Sequence, residues 1–228
     1  MRKDRILFDC ADAARSPAEI RTEISGFRDD YINATWQVIQ ESEELDDDGA
    51  VFVACASLIL KKFGMTRRGP FGKNKSMEAT LRNCWDEVGG LLTNIKQSLV
   101  QSGHPRGRLL LELDESRRDK VIADIWNAMK RLLPYTMGDT AYGLVGASKI
   151  LFSVFPEIVL PIDNRQWLYV FQTVDITDVI KWMAVDIRRW ENLTTEKLNE
   201  LDITGRLTTL PSVYNVMAMA ARPRSLKS

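Results

Sequence analysis

The chain has 228 residues and a mass of 26.0 kDa, with 45% hydrophobic and 27% charged residues. Surface scaling gives about 10,500 Å² for the folded monomer against about 38,000 Å² unfolded, enough burial for a genuine core in one large domain or two small ones. Thirty-one basic and thirty-one acidic side chains cancel, so no overall field draws the protein to nucleic acid or anionic lipid, although a local patch can.

Cys10, Cys55 and Cys84 are widely spaced, which fits neither a disulfide framework nor a metal motif. Three cysteines cannot build a four-cysteine iron–sulfur cluster. His104 is the single histidine, which excludes a histidine-rich metal centre. No metal or cofactor is therefore expected. The first twelve residues lack the apolar stretch of a signal peptide, and no apolar run reaches the roughly 20 residues of a membrane span. The expectation is a cytoplasmic protein that makes no membrane contact.

Ser16-Pro17, with Glu19 three residues past the serine, has the form of a helix N-terminus. Ile20, Ile24, Phe27, Tyr31, Ala34 and Val38 continue it at helical spacing. Six acids between Glu41 and Asp48, then Gly49, predict a helix end and a solvated turn. Residues 50–63 are apolar nearly all round and read as a buried helix. Residues 64–76 hold three glycines and a proline and read as a loop.

Helical spacing resumes at Met77 and runs through Leu99, with Gly89-Gly90 as a place to kink or split. Arg108 to Leu113 reads as a short strand or a lead into a helix. Arg117 to Leu133 is helical, and Pro134 is expected to stop it. Tyr142 to Phe155 is a further helix, hinged at Gly146 or continuous. Asp163 with Gln166 has capping-box spacing, and Trp167 to Phe171 is one helical turn or a short strand. Helices follow over 177–190 and after Leu210-Pro211. The fold class is all-α, with about seven or more helices and little or no sheet. The 228 residues form a single compact unit, or two helical lobes over about 16–135 and 136–221.

The charges are unevenly placed. Lys61, Lys62, Arg67, Arg68, Lys73 and Lys75 fall within fifteen residues with no acid between them. Past Gly205, Arg206, Arg222, Arg224 and Lys227 meet no acid either. Either these are a solvated loop and a frayed tail, or they follow a phosphate backbone without reading bases. Phe71, inside the loop, either stacks on a partner or anchors the loop to the core.

Residues 143–167, GLVGASKILFSVFPEIVLPIDNRQW, hold the most informative arrangement. Lys149 stands three residues after Gly146 in an apolar helix, and Asp163 follows a proline-flanked link. The segment resembles the catalytic segment of the helix-hairpin-helix DNA glycosylase superfamily, with one glycine where the hairpin usually has two and a shorter link. It is also similar to a pattern of bacterial proteins that carry no assigned reaction.

The resemblance implies a multi-helix glycosylase-like architecture and double-stranded DNA as partner. It places Leu144, Gly146 and Ala147 in a phosphate-gripping hairpin, with Lys149 as nucleophile and Asp163 as electrostatic support. Phe152, Trp167 and Trp182 are the aromatics available to line a base pocket. The implied activity is base excision coupled to abasic-site cleavage through a lysine imine at C1′. Three alternatives stay open: a nucleic-acid-binding module without catalysis, a nuclease using Glu112 and Asp114, and an interaction protein using Tyr214, Met217 and Met219.

Overall fold

The computed structural model describes residues 6–8, 13–67, 69–72 and 75–223. Among them the chain is all-helical, and the only β feature is an isolated bridge between Phe8 and Ala14.

The first helix begins as its sequence dictates. Ser16 Oγ accepts from the Glu19 N–H at 3.3 Å, and the Glu19 carboxylate accepts from the Ser16 N–H at 2.7 Å. It ends sooner than the continuous periodicity suggests. α1 (Pro17–Ser25) stops at Gly26, and Arg28 takes an extended ψ of 121° before α2 (Asp29–Glu41). Glycine in a helix interior costs about 1 kcal/mol against alanine, and here the helix ends at it instead of continuing through.

α3 (Ala50–Lys62) opens at Gly49, in the left-handed region at φ 73°. The acidic block before it caps the helix. Asp46 accepts from the Val51 N–H at 3.1 Å and Asp48 from the Ala50 N–H at 3.0 Å, the favourable charge for that end. α4 (Met77–Val100) runs unbroken through Gly89-Gly90. A Cβ on Gly89 would sit 2.8 Å from the Trp85 ring and one on Gly49 2.5 Å from it, so both glycines make room for one indole.

The segment from Arg108 is a single turn, α5 (Leu109–Glu112), rather than a strand. Asp114 then caps α6 (Glu115–Thr136), accepting from the Arg117 N–H at 2.9 Å. α6 passes through Pro134, where a stop was expected. The proline lies exposed in the last turn, where only one hydrogen bond is lost.

Met137 and Gly138 turn the chain with φ of 90° and 65°, and Thr140 caps α7 (Ala141–Val154) through the Gly143 N–H at 3.1 Å. The hairpin thus falls at Met137–Thr140. Leu144, Gly146 and Ala147 lie buried inside α7, so their backbone N–H groups are spent in the helix and cannot grip a phosphate. The misplacement has a physical cause, since glycine marks close helix packing as readily as a turn. A Cβ on Gly143 would meet the Gly138 carbonyl oxygen at 2.0 Å, and one on Gly146 would meet Phe71 and Thr136 at 3.2 Å. Gly143→Ala is accordingly expected to force the hairpin apart and to cost about 1–3 kcal/mol, read by urea denaturation. An unchanged midpoint would contradict that packing.

α7 is the central helix, buried from Gly143 to Val154, with α2, α3 and α6 against it. A buried link, 155–162, follows. α8 (Ile176–Thr194) and α9 (Leu210–Ala220) complete the chain, α8 on α6 and α9 on α1. One contiguous apolar cluster extends from Ile6 to Ala218 and joins both halves. Trp167 and Trp190 are fully inside it, Trp85, Trp126 and Trp182 pack against it, and Trp36 is exposed.

Candidate functional site

Lys149 lies on the third turn of α7, and Asp163 lies fourteen residues later at the end of the link. Ser148 ties the two turns together, donating its hydroxyl to the Ile162 carbonyl at 3.1 Å, one residue from each. Asp163 is fixed by the capping box its spacing suggests. Its Oδ1 accepts from the Gln166 N–H at 2.8 Å, and Gln166 Oε1 accepts from the Asp163 N–H at 2.7 Å. The turn that follows, Gln166–Phe171, is π-helical, and Gln166 is anchored by its amide to Asn215 at 3.1 Å.

The link between lysine and aspartate is held from beneath. Glu157, 1% exposed, pairs with Lys96 at 2.8 Å and with Arg106 at 3.1 Å. Lys96 also donates to the Val154 carbonyl at 2.8 Å, and Thr209 donates to the Pro156 carbonyl at 2.8 Å. Three side chains from outside the link, Lys96, Arg106 and Thr209, therefore hold the segment that joins Lys149 to Asp163.

Both residues line one cavity of about 350 Å³. Its aromatic wall is Phe27, Tyr31 and Phe63, with Tyr31 edge-on to Phe63 at 4.5 Å between ring centroids. The bend after α1 supplies Phe27, the first turn of α2 supplies Tyr31 and the C-cap of α3 supplies Phe63. Glu23, Arg28 and Arg222 add charge, and Met219 and Val216 of α9 add apolar surface.

The Lys149 ammonium donates to the Phe63 carbonyl at 2.7 Å and lies 5.7 Å from the Phe63 ring centroid. Burial pushes its pKa down to about 8; the Asp163 carboxylate opposes that shift and Arg222 adds to it. The reactivity of Lys149 toward an acylating or aldehyde reagent is therefore expected to rise with pH through a midpoint near 8. Peptide mapping of the labelled protein measures this, and a midpoint near the ordinary lysine value of about 10.4 would contradict it.

The other sequence-derived residues fall elsewhere. Phe152 and Trp167 are buried in the core at 1% and 2% exposure, and Trp182 is partly buried against it. None of the three lines the cavity. Phe71 is buried and anchors its loop. Lys61 and Lys62 are exposed on the last turn of α3, next to Phe63, and Arg67 and Lys75 are exposed farther along. Arg68, Lys73 and Cys10 lie outside the described residues.

The basic segment leaves the cavity wall at Phe63 and follows α7 back toward the hairpin. Tyr142 donates to the Met65 carbonyl at 2.6 Å, and Gly69 packs against Met137 and Tyr142. In the second basic region Arg206 is ion-paired with Asp29 at 3.2 Å and Arg222 with Asp163, and Arg224 and Lys227 lie outside the described residues.

The carboxylates of the nuclease alternative are occupied. Glu112 faces Arg108 at 3.3 Å and His104 at 3.7 Å, while Asp114 is a helix cap. Among the described residues no group of three or more His, Cys, Asp or Glu side chains is placed to hold a metal ion. Tyr214 and Met217, offered as an interaction surface, are 2% and 1% exposed. No helix among the described residues is long and apolar enough to cross a membrane.

Fold and site together define an all-helical protein with a lysine and a carboxylate in one aromatic-walled cavity. No family model matches the chain, and neither does any curated protein or solved structure.

Proposed function

We propose that the cavity receives a nucleotide extruded from double-stranded DNA, and that Lys149 acts at C1′ as in a base-excision glycosylase with abasic-site lyase activity. One observation carries this reading: Lys149 and Asp163 line the same aromatic-walled pocket of about 350 Å³, where burial lowers the lysine pKa. A pKa lowered to about 8 makes the uncharged, nucleophilic amine far more accessible near neutral pH than in an ordinary lysine.

The amine nitrogen bonds to C1′ as the glycosidic bond breaks, and the base leaves with the electron pair and gains a proton. At a pre-existing abasic site the carbonyl oxygen leaves as water instead. Asp163 supports the positive charge that develops at the sugar carbon. Phe27, Tyr31 and Phe63 offer stacking faces, as extrusion of a base requires. Lys61, Lys62, Arg67 and Lys75 are exposed cations for the phosphate backbone.

The test is incubation with duplexes carrying oxidised bases or abasic sites, followed by borohydride. A covalent adduct supports the reading, and its absence contradicts it. The contact from Lys149 to the Phe63 carbonyl favours a second reading, in which the lysine merely caps the C-terminus of α3. That role predicts a loss of stability of about 1 kcal/mol in Lys149→Met and no adduct with any carbonyl substrate.

A further inference from the structure

Asp163 has both carboxylate oxygens engaged. Oδ1 takes a backbone N–H that the capping box fixes, and Oδ2 takes the guanidinium of Arg222. A carboxylate neutralised by a guanidinium gives little support to a cation forming beside it, so the pocket as it stands is held in check. Arg222 follows the last turn of α9, its Nε donating to the Met219 carbonyl at 3.0 Å, and its side chain is 29% exposed.

The other guanidinium on the wall is committed elsewhere. Arg28 makes a two-point pair with Asp30 at 2.7 and 3.0 Å, and its guanidinium carbon lies 4.5 Å from the Tyr31 ring centroid. Arg222 is therefore the arginine of the cavity whose partner is itself a site residue. After a carboxylate, the oxygen fork that a guanidinium binds best is a phosphate ester.

We propose that Arg222 is a substrate-binding residue that exchanges Asp163 for the phosphate of the entering ligand, so that a phosphate ester, and not its neutral counterpart, frees the carboxylate beside Lys149. This rests on the cavity being the ligand site, and it names the ligand class as a phosphate ester bearing an electrophilic carbonyl carbon, a description that an abasic nucleotide in a strand satisfies.

The experiment needs no DNA. The protein is treated with glycolaldehyde phosphate or with glycolaldehyde, then with borohydride, and Lys149 is followed by peptide mapping. The amine adds to the aldehyde carbon, water leaves as the imine forms, and hydride from the borohydride reduces that carbon to give a secondary amine. The wild-type protein is expected to label about tenfold faster with the phosphorylated aldehyde. Arg222→Ala should lose that preference while still reacting with glycolaldehyde, and its labelling midpoint should move above the wild-type value, because a cation beside Lys149 has gone.

Arg222→Lys, which keeps the charge without the fork, should retain part of the preference, and it serves if the alanine variant does not fold. Equal wild-type rates for the two aldehydes, or an undiminished preference in Arg222→Ala, would overturn the proposal. The DNA reading is scored separately. An abasic duplex that fails to trap while the phosphate preference holds overturns only the DNA reading, and the reverse pattern overturns only the role of Arg222.

Discussion

Replacing Lys149 with alanine is expected to lower cleavage of an abasic duplex by at least about 10³-fold, because removing a nucleophile leaves only binding and electrostatic support. Affinity for the same duplex should stay within about threefold, since backbone contacts come from other cations. Single-turnover gel kinetics and a binding titration at fixed salt separate the two. Asp163→Asn should fall between Lys149→Ala and wild type, because it removes the charge but keeps an oxygen for the Gln166 N–H. Loss of binding in parallel with cleavage would instead mark Lys149 as architecture, through its contact with Phe63.

The second large effect belongs to Glu157. Its neutral replacement, Glu157→Gln, strands Lys96, 5% exposed, without its ion pair and deprives Arg106 of the carboxylate 3.1 Å away. Breaking a buried pair from one side costs about 3–5 kcal/mol. For a chain of this size that corresponds to a fall in Tm of roughly 10 °C, measured by calorimetry.

Acid should act on the same network. Burial alone would raise the Glu157 carboxyl, but the adjacent Lys96 and Arg106 cations, together with hydrogen bonds, hold it below its ordinary value of 4.5. The unfolded chain then binds that proton more readily than the folded one. The contribution is present above about pH 4.5 and is lost as the pH falls through the lower folded value. A stability profile of Glu157→Gln should be flatter than wild type below that pH. The site should feel the change too, because Glu157 lies in the link that sets Asp163 against Lys149.

What was legible in the sequence was local. The Ser16–Glu19 and Asp163–Gln166 boxes are three-residue spacings that a helix start dictates, and both form. The apolar run 50–63 and the stripes over 77–99 and 177–190 gave helices because burial rewards that periodicity. Lys149 and Asp163 share a cavity across a link short enough for one hydroxyl, Ser148, to bridge.

What was not legible was non-local. Arg222 reaches Asp163 across 59 residues, and nothing in the basic C-terminal stretch marks which of its cations does so. The aromatic wall joins Phe27 and Tyr31, which helical spacing pairs, to Phe63 at the end of α3, which no local pattern connects to them. Phe152 and Trp167 serve the core instead, and Trp182 packs against it. The hairpin lies earlier than the glycine spacing suggests because Gly143 and Gly146 serve close packing, whereas the turn uses Met137, a non-glycine residue in the left-handed region, together with Gly138.

The role of Lys149 is tested most directly by trapping the protein on a duplex containing one abasic site with borohydride and mapping the adduct by mass spectrometry. A single protein–DNA cross-link is expected, located on Lys149 and strengthening as the pH rises toward 8. A cross-link on another lysine, or none at any pH up to 9 under conditions where the duplex is bound, would contradict it.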